Sequence, residues 1–139
     1  MVLDTNVLVS GLIMLGKPRE LLSMISRREA ALVLSKEILN EFMTVTRRKK
    51  LAEYATKEQV ERFVEGLEKI AEFVEPESHL KVADDSEDDI VINTAIDGEA
   101  DFIVSGDHHL LSLREFRGIT MLSVDEAVRR LKKLSLIHI

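Results

Sequence analysis

Short apolar runs, each only long enough for a buried strand, alternate with stretches whose apolar residues recur at helical spacing. The runs are Val2-Leu3, Ala31-Leu32-Val33-Leu34, Phe73-Val74, Ile103-Val104 and Ile119-Thr120-Met121-Leu122. Strands that are apolar throughout must be covered on both faces, and a helix between successive strands carries the chain back for parallel pairing. The pattern therefore predicts an α/β fold built from βαβ units.

The helical stretches carry their own punctuation. Pro18 stands at a first helical position ahead of Leu21, Leu22 and Ile25, where its missing N–H costs nothing. Ser35 offers an N-cap for the helix that carries Ile38, Leu39, Phe42 and Val45, and Thr56 to Gln59 and Ser123 to Glu126 read as capping boxes. Ser86 to Asp88 opens a helix running through Ile90, Val91, Thr94 and Ala95 to Gly98, a favoured C-cap residue. Val2-Leu3 and Val7-Leu8-Val9 bracket a first strand ending near Asp4, followed by a turn into a loop or short helix. Leu110, Leu111 and Leu113 suggest a short helix. The apolar tail from Leu134 to Ile139 suits an edge strand, a dimer contact or a frayed end.

Composition narrows the chemistry. The 139 residues suit one domain, 1–139, and with 45% apolar but only 4% aromatic residues the core must be aliphatic. No cysteine is present, which removes disulfides, thiolate metal sites and a cysteine nucleophile. No run is long enough to cross a bilayer and no secretory leader precedes the first strand, so a cytoplasmic protein without a membrane partner is expected. Against 25 acidic residues stand 19 basic ones, a net charge of −6. That balance disfavours coating nucleic acid by bulk charge, while leaving room for an enzyme that grips a few phosphates through metal ions. The basic clusters, such as Arg47-Arg48-Lys49-Lys50, read individually as solvated helix ends.

The acids carry the functional signal jointly. Asp4 follows the first strand and Asp107 trails the strand Asp101 to Ser105, and ligands of open parallel sheets collect beyond the carboxyl ends of strands. Glu41 lies beside an apolar helical stripe, and Asp88 and Asp89 begin a helix, where negative charge is favoured anyway. Crowded carboxylates call for a divalent cation, and Mg²⁺ or Mn²⁺ prefers hard oxygen ligands. Such an ion lowers the pKa of its water and polarises a phosphoryl group, which points to phosphodiester hydrolysis. Asn6 and Ser105 are polar neighbours able to hold the acids by hydrogen bonds.

The segments Leu3-Asp4-Thr5-Asn6-Val7-Leu8, Leu34-Ser35-Lys36-Glu37-Ile38-Leu39-Asn40-Glu41 and Asp85 through Asp107 resemble PIN domains, in particular the prokaryotic VapC-like toxin ribonucleases. The resemblance implies a three-layer α/β/α sandwich with a central parallel sheet and a Mg²⁺- or Mn²⁺-dependent endoribonuclease. It also implies homodimers and, for many members, inhibition by a small antitoxin. By position Asp4, Glu41, Asp88 and Asp107 match the four acids; Asp89 fits the third place in other branches, so either neighbour could face the metal. Asn6 and Ser105 match supporting positions. A haloacid-dehalogenase-like phosphatase would want an acid where Asn6 stands, and a receiver-like domain would want a lysine after a late strand. A PIN-like scaffold that binds without cleaving is the remaining alternative.

Overall fold

The computed structural model describes residues 1–83 and 85–137. In chain order the elements are β1 (Val2–Leu3), α1 (Thr5–Ile13), α2 (Lys17–Ser26), β2 (Leu32–Ser35), α3 (Lys36–Thr46), α4 (Lys49–Ala52) and α5 (Lys57–Ile70). There follow β3 (Ala71–Val74), α6 (Ser86–Asp97), β4 (Phe102–Val104), α7 (His108–Leu111), β5 (Glu115–Phe116), β6 (Ile119–Leu122) and α8 (Val124–Ile137). The strands form one sheet in the order β3-β2-β1-β4-β6-β5. Every neighbouring pair is parallel except β5 with β6. Helices flank this mostly parallel sheet in the three-layer α/β/α arrangement.

The central strands are as apolar as their position demands: Val2, Leu3, Leu32, Leu34, Ile103, Val104 and Leu122 are essentially inaccessible to water. Among the described residues Phe42 is the one aromatic side chain in the fully buried set, so the core is aliphatic, with Phe42 and Phe63 (ring centres 5.4 Å apart) joining α3 to α5.

Two sequence expectations are met and a third is narrowed. The first strand ends at Leu3, next to Asp4 as expected, and the short helix that follows is α1, which takes in Val7-Leu8-Val9. Valine favours strands by its stiff side chain, but here the Asp4 carboxylate accepts the Val7 N–H and starts a helix that is buried along Val7, Leu8 and Val9. Burial on several sides erased the periodic signal that separates helix from strand. The central sheet is parallel as expected, with one antiparallel edge where β5 and β6 form a hairpin across Arg117 (φ 51°) and Gly118 (φ 82°). Both loop residues take the left-handed conformation that a tight twisted hairpin needs, and an arginine in the first place gives little warning of it. The tail after Leu134 continues α8 as far as Ile137; His138 and Ile139 lie outside the described residues.

The end of α6 explains Gly98 differently from its sequence reading. Gly98 has φ −86°, whereas the left-handed residue is Glu99 at φ 52°. The Ala100 N–H reaches back to the Ala95 carbonyl at 2.9 Å and the Glu99 N–H to the Ile96 carbonyl at 3.2 Å, the paired bonds of a Schellman ending. Glycine is needed at 98 for space: a Cβ there would stand 2.6 Å from Val33 Cγ1 and 3.1 Å from Val74 Cγ2. Gly98→Ala should therefore lower stability by about 1–3 kcal/mol through overpacking, measured by urea denaturation. Glu99→Gly should raise it by a few tenths to about 1 kcal/mol.

Candidate active site

The sheet changes direction between β1 and β4, with β2 and β3 continuing to one side and β6 and β5 to the other. A crevice opens beyond the carboxyl ends of the strands at such a point. Asp4 follows β1 directly, and its N–H donates to the Val104 carbonyl at 3.0 Å, so the ladder to β4 runs up to the acid itself. Its side chain is 6% exposed. Asp4 Oδ1 accepts the Val7 N–H at 2.9 Å, and Oδ2 accepts the Ser105 hydroxyl. Ser105 is fully buried, and its Oγ in turn accepts the Asp107 N–H at 2.9 Å. One hydroxyl thus links the acid after β1 to the loop carrying the acid after β4. Burial pushes the Asp4 carboxyl above its ordinary value; the Ser105 and Val7 hydrogen bonds pull it down, and the Asp107 charge pushes it up.

Asp4, Glu41, Asp88 and Asp107 line one cleft of about 170 Å³. They come from β1, α3, α6 and the loop after β4. Asp88 is half-buried, and its carboxyl is pushed up to about 6, first by burial and then by the charges of Asp107, Asp85, Asp4 and Asp89. Asp107 also accepts the His109 N–H at 2.8 Å, capping α7. Asn6 lines the cleft too, and it supports Asp4 through its backbone N–H rather than its side-chain amide.

Asp89 does something else. Its Oδ1 accepts the N–H groups of Val82 (2.9 Å) and Ala83 (2.8 Å). One turn on, Asn93 exchanges hydrogen bonds with both backbone groups of Leu80, and a turn further Asp97 accepts the N–H groups of Glu77 and Ser78 and the Ser78 hydroxyl. Residues at i, i+4 and i+8 share a helix face, so one face of α6 is committed to holding the strap 77–83. Asp88, a third of a turn away, is left facing the cleft.

Several cleft residues were not singled out from the sequence. Glu87, Asp85, Thr5, Val45 and Arg48 line the same space. The Glu87 carboxyl is pushed up by burial, by the Glu41 charge and by a hydrogen bond with Glu41, while Arg48 opposes the shift. A signal for part of this set was present: Glu41, Val45 and Arg48 stand at i, i+4 and i+7, one helical stripe. A groove of about 610 Å³ between α1, α2 and α5 is larger, but among its lining residues there is no carboxylate; the smaller cleft is the chemically equipped one.

The donor set suits Mg²⁺ or Mn²⁺ by its chemistry, since it offers hard oxygens, and the rise at Asp88 comes first from burial and then from the charges of its acidic neighbours. The oxygens ring a space rather than meeting at a point: among the described residues no three His, Asp or Glu side chains are gathered closely enough to hold an ion as they stand. Ligation calls for rotation of the half-buried Asp88, Asp107 or Glu41. Among the described residues no helix is long and apolar enough to cross a membrane.

A switch-point cleft walled by carboxylates, in a small mostly parallel α/β/α domain, defines a nuclease-like architecture. Comparison with known families agrees: residues 1–109 match the PIN domain, and the chain belongs to that family, whose members are generally nucleases. It is also 30% identical over 116 residues to the uncharacterized protein MJ1680 of Methanocaldococcus jannaschii, an alignment covering 82% of this chain and 74% of that protein.

These positions separate charge from structure. The folded value of Asp88 lies above its ordinary 3.8, so its contribution is stabilising below that pH and is lost as pH rises from 3.8 to about 6. Asp88→Asn should flatten that part of the stability profile and, without added metal, raise Tm at neutral pH by about 3 °C, the small size reflecting screening at a half-buried group. Asp89→Ala should do the reverse, losing about 1–3 kcal/mol by orphaning two backbone donors. Thermal melts of both variants in EDTA across pH decide the matter.

Proposed function

We propose that this chain is a Mg²⁺- or Mn²⁺-dependent endoribonuclease, a single nuclease domain over 1–139, and the toxin member of a toxin–antitoxin pair. The observation that carries the reading is the delivery of Asp4, Glu41, Asp88 and Asp107 to one cleft from four separate parts of the chain. Asp4, Asp88 and Asp107 would hold the metal, with Glu41 completing the set. A bound divalent ion supplies a more acidic water and a polarised phosphoryl oxygen.

The protein's own groups account for the rest. Ser105 and the Val7 N–H fix both oxygens of Asp4, so that this acid is oriented before substrate arrives. Glu41 orients the attacking water as its oxygen adds to phosphorus, and the proton that water gives up goes to solvent. The phosphorus–oxygen bond to the departing sugar then breaks, and solvent protonates that oxygen. The toxin assignment, with a homodimer and a small antitoxin as partners, rests on the resemblance of the acid-bearing segments to VapC-like members; a short neighbouring reading frame with a DNA-binding start would support it.

Asp4→Asn keeps the shape and the acceptor for the Val7 N–H while removing the charge and the oxygen that accepts the Ser105 hydroxyl. It should cut Mn²⁺-dependent RNA cleavage by roughly a hundredfold or more, followed on labelled RNA in gels with and without EDTA. Wild-type protein that binds Mn²⁺ by calorimetry yet leaves RNA intact would sink the nuclease reading in favour of a binding scaffold.

A further inference from the structure

We propose that Arg48 is a phosphate-binding residue for the RNA, placed at the mouth of the acid cleft. This deepens the nuclease reading and rests on it. The difficulty it answers is electrostatic. The cleft is lined by Asp4, Glu41, Asp85, Glu87, Asp88 and Asp107, and a polyanion approaching that wall is repelled even after metal ions offset part of the charge. A backbone phosphate beside the scissile one needs a cation, and among the described residues that line the cleft Arg48 is the one cationic side chain.

Its setting fits the task. The Arg48 N–H donates to the Val45 carbonyl at 3.1 Å, and the Arg48 carbonyl accepts the N–H groups of Leu51 (2.9 Å) and Ala52 (3.0 Å). The junction of α3 and α4 therefore fixes where the side chain starts. Among the described residues the guanidinium makes no salt bridge and no hydrogen bond, so none of them occupies the donors a phosphate would use. A planar guanidinium offers phosphate two parallel N–H donors, a match an ammonium lacks.

The neighbouring Arg47 supplies the contrast. It lines a separate groove with Met43, Thr46 and Val60, so two consecutive arginines of equal charge face different parts of the surface. A rival role for Arg48 is to neutralise Glu87 and Glu41 without touching substrate. The two roles differ in what they move.

The test uses the full chain, a fluorescein-labelled single-stranded RNA and four proteins: wild type, R48Q, R48K and R47Q. RNA binding is followed by anisotropy without added metal, cleavage by steady-state kinetics in Mn²⁺, and Mn²⁺ affinity by calorimetry. R48Q should weaken RNA binding and raise KM about tenfold with kcat within about twofold. It should also reduce the slope of log affinity against log salt by about 0.7, one contact on a single strand. R48K should keep the wild-type slope and recover part of the affinity; R47Q should stay within about twofold of wild type. Equal effects of R48Q and R47Q would overturn the proposal, as would an R48Q that shifts Mn²⁺ affinity and leaves RNA binding alone. Wild-type protein that binds RNA without cleaving it refutes the nuclease reading while the binding arm still judges Arg48; wild-type protein that does not bind RNA refutes both.

Discussion

A carboxylate withdrawn from water costs several kcal/mol unless its oxygens are satisfied, and Asp4 stands in that position at the middle of the sheet. Its two oxygens are met by the Val7 N–H in the first turn of α1 and by the hydroxyl of Ser105. Much of the site follows from this arrangement. The same carboxylate that ends β1 starts α1, so strand, acid and helix cannot be moved independently. Ser105 can serve Asp4 only because β4 lies beside β1, and the bond from its Oγ to the Asp107 N–H sets the path of the next loop.

The opposite wall is organised by a different device. On α6, Thr94 donates to the Ser35 hydroxyl, which also caps α3 through the Ile38 N–H. That links the helix bearing Asp88 to the helix bearing Glu41 through two small buried hydroxyls. The Asp89, Asn93 and Asp97 face meanwhile fixes the rotation of α6 about its axis, since a change of one residue in register would break all three attachments to the strap. Asp88 owes its direction to these neighbours rather than to any bond of its own. The cost of aiming it there is the upward push on its carboxyl.

Much of the architecture was legible in the sequence because the relevant signals are local. Capping at Ser35, Thr56 and Ser123, and the apolar runs of β2, β4 and β6, follow from residue chemistry within a few positions, and the order of the acids along the chain indicated a shared crevice. What escaped had non-local or two-sided causes. The Val7 to Val9 stretch is buried in a way that hides its period. The hairpin before β6 depends on an arginine accepting an unfavourable backbone conformation. Gly98 is dictated by Val33 and Val74, residues far away in the chain. The division of labour between Asp88 and Asp89 depends on a strap whose partners are its own peptide groups, and peptide groups leave no mark in a sequence.

That last point bears on how such a protein can diverge. The segment 77–83 is gripped mainly through its main chain, so most of its side chains are spared any part in holding its course. Substitutions at the exposed Glu77, His79 or Lys81 can change the outer surface of the strap while the scaffold beneath keeps its shape. A lineage of these proteins can thereby vary the outward-facing positions of the strap while its course over α6 stays fixed.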